Sequence, residues 1–172
     1  MSYGRLLSIE STPARSAGAR LIPDWWACVM PRSLEYARVL VTIPAVWIAI
    51  VPPIADLNES HIFSPLWSGH ARFHTFWLLT SSSLSSLLAI FLLWKGPRAG
   101  SREAVLTAAA IMGALLGGFF SAALFRPIYD GTLSDLEVAT GVSRRIDPNF
   151  VAFSALLIVL VVGVLLARRP AA

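Results

Sequence analysis

The sequence predicts an all-α integral membrane protein, a multi-pass bundle of four transmembrane helices with both termini cytoplasmic, and three observations carry that expectation. Hydrophobic residues make up 56% of the 172-residue chain and charged residues only 14%, too apolar a balance for a soluble domain of this size. The apolar residues gather into four runs, each near the roughly 20 residues a helix needs to cross a bilayer, and strand-like alternation is absent. Lysine and arginine sit at the ends of these runs, where topology signals belong.

Residues 1–33 read as a cytoplasmic tail and interfacial segment: 1–20 are basic and polar without a cleavage pattern, and Leu21 to Met30, carrying Trp25 and Trp26, lies at the interface. The transmembrane domain spans 34–167. Its first helix is expected over 34–54, with Arg38 near its start, a kink at Pro44 and a stop at Pro52-Pro53. The second covers 74–94 and ends at Lys95-Gly96-Pro97. The third covers 104–125, stopped by Arg126-Pro127, and the fourth 150–167, stopped by Arg168-Arg169-Pro170, which opens a short tail over 168–172.

Charge counting sets the orientation. With the N-terminus inside, Arg5, Arg15, Arg20, Arg32, Arg38, Lys95, Arg98, Arg102, Arg168 and Arg169 are cytoplasmic, and only Arg72, Arg126, Arg144 and Arg145 lie outside. The loop over 55–73 and the third loop over 126–149 then emerge together on the non-cytoplasmic face. A net charge of +4 spread over helix ends, without a basic patch, excludes a nucleic-acid partner. The lone Cys28 excludes an intramolecular disulfide and a C-x-x-C redox pair.

Helix three carries small residues every fourth position, Ala109, Gly113, Gly117 and Ser121, with Ala110, Ala114, Gly118 and Ala122 beside them. That smooth stripe suits close packing, either within the bundle or against another copy or a larger membrane complex. Helix two carries Thr80, Ser81, Ser82, Ser83, Ser85 and Ser86, whose hydroxyls either bond back to the preceding turn or line a polar cavity. Helix four, nearly all Val, Leu, Ile and Ala, can face lipid.

Chemistry concentrates in one segment. All three histidines, His61, His70 and His74, fall within 61–74, beside Asp56, Asn58, Glu59 and Arg72. Ionisable groups at a membrane edge are costly to keep and mark a candidate site. Three readings stay open. His70 and His74, spaced i, i+4, present two imidazoles on one helix face, and His61 with Asp56 or Glu59 could complete a zinc or iron(II) centre with an open position. Alternatively histidine and Asp or Glu side chains of this cluster exchange protons without metal while Trp67, Phe73, Trp77 and Tyr129 hold an apolar or polyene substrate, as an isomerase or cyclase would. In the third reading the histidines, Trp67 and Arg72 anchor a helix end at the headgroup layer, and Asp56 and Asn58 cap the preceding turn. Arg72 lies about 200° round the helix from His70 and is expected to pair with Asp130 of the third loop.

The run Asp56-x-Asn58-x-Ser60-His61 followed by Trp67-x-x-His70-Ala71-Arg72-Phe73-His74 resembles the signature of a family of small four-helix membrane proteins of bacteria and fungi, of unknown function. The resemblance implies that these polar positions form the family's site. The layout is also similar to that of the emopamil-binding sterol isomerases, which surround a lipophilic ligand with acidic and histidine residues; that likeness is one of layout, without matched residues. Together the residues lead to an expected enzyme of the bacterial cytoplasmic membrane that takes a lipophilic small molecule from the surrounding lipid. Asp56, Glu59, Arg72 and Asp130 are the expected catalytic groups, Asn58, Trp67, Phe73, Trp77 and Tyr129 the substrate contacts, and His61, His70 and His74 the ligands of any zinc or iron. A non-enzymatic lipid- or partner-binding subunit is the alternative.

Overall fold

The computed structural model describes residues 32–133 and 147–170. Cys28, the Trp25-Trp26 stretch, and Asp135, Glu137, Arg144 and Arg145 of the third loop lie outside the described residues. Four helices make up the structure: α1 (Arg32–Asp56), α2 (Gly69–Trp94), α3 (Arg102–Phe125), continued by one 3-10 turn over Arg126–Ile128, and α4 (Pro148–Arg168). All four are long and apolar enough to cross a membrane, and the described residues are all-helical apart from the connecting loops, the layout of a multi-pass bundle.

The helices form where the apolar runs lie, but their ends obey caps and not hydropathy. Ser68 starts α2 by accepting the Ala71 amide at 3.1 Å, so the helix opens at Gly69 and takes in His70 and Arg72, which hydropathy leaves in the loop. Ser101 caps α3 through the Ala104 amide. Asp147 caps α4 through the amides of Asn149 and Phe150, with Pro148 in the first turn where its missing N–H costs nothing.

The expected stop at Pro52-Pro53 does not occur, and α1 continues to Asp56. A proline removes one donor from the helical ladder, and a membrane helix tolerates this where another group satisfies the freed carbonyl. Pro53 supplies no N–H to the Ala49 carbonyl four residues back. The Ser83 hydroxyl of α2 donates to that carbonyl instead, at 3.2 Å. Ser86 bonds back to Ser82 within its own helix at 2.8 Å. Both bonds are structural uses of the hydroxyl-rich run.

The connectivity is antiparallel. α1 packs on α4, α2 and α3, and α3 packs on α2 and α4, so α1 and α3 form the central pair, with α2 and α4 on either side. Ala37, Val41, Ala45 and Ile48 of α1 meet Val105, Ala108, Met112 and Leu116 of α3, Leu93 of α2 and Leu156 and Leu160 of α4 in the core. Among the helical glycines Gly163 of α4 is packed most closely, where an added Cβ would lie 3.1 Å from Val41 Cγ2 and 3.4 Å from the Ala37 carbonyl. α4 therefore is more than a lipid-facing helix. On α3 the expected stripe is only partly used: Ala109 is buried, whereas Gly117 and Gly118 face open space.

One end of the bundle is tied by basic residues. The Arg38 guanidinium lies 3.6 Å over the Trp94 ring, the Trp94 indole N–H donates to Thr42 Oγ1 at 3.0 Å, and Arg102 reaches the Arg169 carbonyl at 2.7 Å. The α1–α2 loop and the chain leaving α3 emerge together at the opposite end.

Candidate functional site

The α1–α2 loop is organised by Asn58. Its amide nitrogen donates to the Ala55 carbonyl at 2.5 Å, satisfying one of the acceptors left over at the end of α1. Its Oδ1 accepts from the backbone amides of Ser60 at 2.9 Å and His61 at 3.2 Å and from Ser60 Oγ at 2.8 Å. Such an Asx turn fixes the backbone on which His61 sits. Asn58 therefore positions the turn that carries His61.

His61 is held between two polar groups. Ser60 Oγ lies 2.8 Å from its Nδ1, and Asp56 Oδ1 lies 3.8 Å from its Nε2, both side chains being about a third exposed. Trp67 stands edge-on to the imidazole at 6.2 Å between centroids. The hydroxyl can point either way: with Nδ1 bare it donates to His61, and with Nδ1 protonated it turns its proton to Asn58 Oδ1 and accepts from the ring. Proton gain at His61 is thereby coupled to rotation of one hydroxyl, while the carboxylate faces the other nitrogen.

His70 and His74 occupy the first turns of α2, exposed, with their Nε2 atoms 3.0 Å apart and their rings edge to face at 4.4 Å. Phe73 and Trp77, also exposed, lie 5.8 and 5.9 Å from the His74 ring. Among the described residues no group of three or more His, Cys, Asp or Glu side chains is gathered to hold a metal ion. The histidines thus divide into His61 with Asp56 and His70 with His74, and the expected three-histidine centre is not assembled. Glu59 stands exposed on the loop and enters no ion pair among the described residues.

Arg72 points away from His70 and His74, as its angular position requires, but the expected pair with Asp130 does not form among the described residues. The guanidinium Nη2 donates to the Ser64 carbonyl at 2.6 Å, pinning the loop to α2, and its buried Nε has no partner among the described residues. Ser64 is itself buried and accepts the Leu66 amide through its hydroxyl. A neighbouring carbonyl from the same loop wins over a carboxylate on another loop because it is already in place.

The third loop also departs from expectation. Tyr129 folds back on α3 and donates its hydroxyl to the Ala122 carbonyl at 2.6 Å, instead of closing over the histidines. Asp130 is exposed and adopts φ 51°, a left-handed conformation in which Asp is among the tolerated residues. The Tyr129 side chain and the Asp130 backbone shape the exit from α3. A cleft of about 610 Å³, lined by Phe120, Leu124, Arg126, Leu133 and Phe150, opens at this end of the bundle.

Sequence reasoning named Ser60 within the Asp56-to-His61 run without giving it a role of its own, and missed Ser64 and Ser68, each a single hydroxyl in a loop. Their signal was present in the spacing Asn58-x-Ser60 of an Asx turn and in Ser68-Gly69 just ahead of a helix. No curated protein and no solved structure matches the chain. A family model matches residues 40–171, from within α1 past the end of α4 and including every site residue named above, and the chain belongs to that family, DUF6640, a family of unknown function.

Proposed function

We propose that the protein is an enzyme of the bacterial cytoplasmic membrane, with both termini inside, that moves a proton on a lipophilic substrate at its outer end. His61 is the proton carrier, Asp56 stabilises its charged form, and Ser60 relays the change at Nδ1. The observation that carries the reading is the arrangement Ser60 Oγ, His61 Nδ1 at 2.8 Å, His61 Nε2 and Asp56 Oδ1 at 3.8 Å, fixed by Asn58. A histidine positioned this way serves as a general acid or base. Exposed Phe63 and Leu66 on the same loop, and the apolar cleft at the same end, fit a substrate drawn from the bilayer. The orientation rests on the excess of arginine and lysine at the opposite end.

The test compares lipid extracts of cells carrying the wild-type chain, His61→Gln or Asp56→Asn at equal membrane abundance. The wild type is expected to raise or deplete at least one lipophilic compound several-fold against empty vector, and both variants to return it to the vector level. Identical extracts throughout would overturn the reading and leave a non-enzymatic binding protein.

A further inference from the structure

We propose that His70 and His74 form a two-nitrogen site for a divalent first-row transition ion, Cu(II) ahead of the others, separate from His61. This goes beyond the proton-transfer reading and does not depend on it.

Both imidazoles bring the same ring nitrogen, Nε2, together. Their Nε2 atoms are 3.0 Å apart, the separation of a hydrogen bond sharing one proton. It is also the separation of two neighbouring ligands on one metal: with metal–nitrogen bonds of about 2.0–2.1 Å, nitrogens 3.0 Å apart subtend roughly 95° at the ion. A tetrahedral zinc would need them about 3.3 Å apart, so the pair as it stands suits the near-right angles of a tetragonal ion. Tetragonal nitrogen and oxygen sites are those of Cu(II) and Ni(II), and Cu(II) heads the affinity order.

The backbone needs no rearrangement. An i, i+4 pair stays in register for as long as α2 is helical, and the Ser68 cap begins the helix just before His70. Both rings are exposed, so the remaining coordination positions are open to water or to an oxygen donor. The proton balance is simple when both rings are neutral. The ring that donates through Nε2 moves its proton to Nδ1, the ion takes the two bare Nε2 atoms, and no net proton is released.

The neighbouring aromatics supply a readout, since the Trp77 ring lies 5.9 Å from His74, close enough for a paramagnetic ion to quench its emission. Purified full-length protein in detergent, without an affinity tag, is titrated with CuCl2 by calorimetry and tryptophan fluorescence. One Cu(II) per chain is expected, with two nitrogen couplings in the electron paramagnetic resonance spectrum and no response to Mg(II) or Ca(II), which take oxygen ligands. His70→Gln and His74→Gln should each raise the apparent Kd by about tenfold or more, because half the protein ligands are gone. His61→Gln should leave it unchanged. Trp77→Phe should remove most of the quenching and none of the heat. Both histidines are exposed and Gln is helix-compatible, so circular dichroism and thermal unfolding of the variants verify that they fold. Saturable binding that survives in the His70→Gln/His74→Gln double variant would overturn the proposal, as would no saturable binding in the wild type. Equal loss in His61→Gln would replace the pair with a three-histidine centre. A lost lipid change in His61→Gln with Cu(II) binding intact would separate this site from the proton-transfer site.

Discussion

The Ser83 hydroxyl of α2 donates to the Ala49 carbonyl of α1 at 3.2 Å, the carbonyl to which Pro53 can give no N–H. An imperfection in one helix is thereby made into a contact between two. Interhelical hydrogen bonds in membrane proteins average about 0.6 kcal/mol and reach about 1.7. Ser83→Ala is expected to cost an amount in that range in reversible unfolding from detergent, more than Ser85→Ala. In a Pro53→Ala background, where the helix regains its own donor, the cost of Ser83→Ala should fall by at least half. Equal costs in both backgrounds would mean that the carbonyl does not depend on the proline.

Gly163 and Gly117 look alike in sequence and differ in surroundings. A side chain at Gly163 meets Val41, Leu40 and the Ala37 carbonyl, whereas one at Gly117 meets nothing. Gly163→Val should cost about 1–3 kcal/mol by overpacking the α1–α4 contact, and Gly117→Ala should gain up to about 1 kcal/mol of helix propensity. Thermal unfolding of the two variants in the same detergent checks the pair. If Gly117→Leu converts an oligomer into a monomer without unfolding it, a second copy covers that face of α3.

Hydropathy makes the four helices legible because lipid demands long apolar runs, but it is blind to where they begin and end. Ser68 and Asp147 set two of those ends through hydrogen bonds that a hydropathy sum cannot register. The small-residue pattern on α3 was visible, yet among the helical glycines the one packed against a neighbouring backbone is Gly163, alone in a Val- and Leu-rich run, which has no pattern to see. At the site, the nearness of Asp56, Asn58, Ser60 and His61 was readable because the turn is local. The separation of His61 from His70 and His74 was not, since it depends on α2 starting early and on Arg72 holding Ser64.

Asp130 tests whether an exposed acid beside a site is chemical or conformational. Its φ of 51° places it in the left-handed region, where a residue with a Cβ costs about 1–2 kcal/mol and Gly or Asn fits more easily. Asp130→Gly and Asp130→Asn should keep stability and any effect on cellular lipids, while Asp130→Val should lose stability by about the stated amount. Loss of the lipid effect in the folded Asp130→Asn variant would restore the carboxylate to the chemistry.

Arg72 supplies the last test, because the hydrogen bond from its guanidinium to Ser64 decides how the loop sits on α2. The guanidinium reaches the Ser64 carbonyl at 2.6 Å, and a charged donor to a part-buried acceptor is worth about 1.5–3 kcal/mol. Arg72→Met keeps much of the aliphatic stem and removes the donor, so it should lower the unfolding free energy by up to that range and broaden the His61 ring resonances as the loop loosens. Since no Arg72–Asp130 ion pair forms among the described residues, the Arg72→Ala and Asp130→Ala changes should add within about 0.5 kcal/mol in a double-mutant cycle. Coupling well above that value would mean that the third loop swings in to meet Arg72, and the outer end of the bundle would then be one composite site instead of two neighbouring ones.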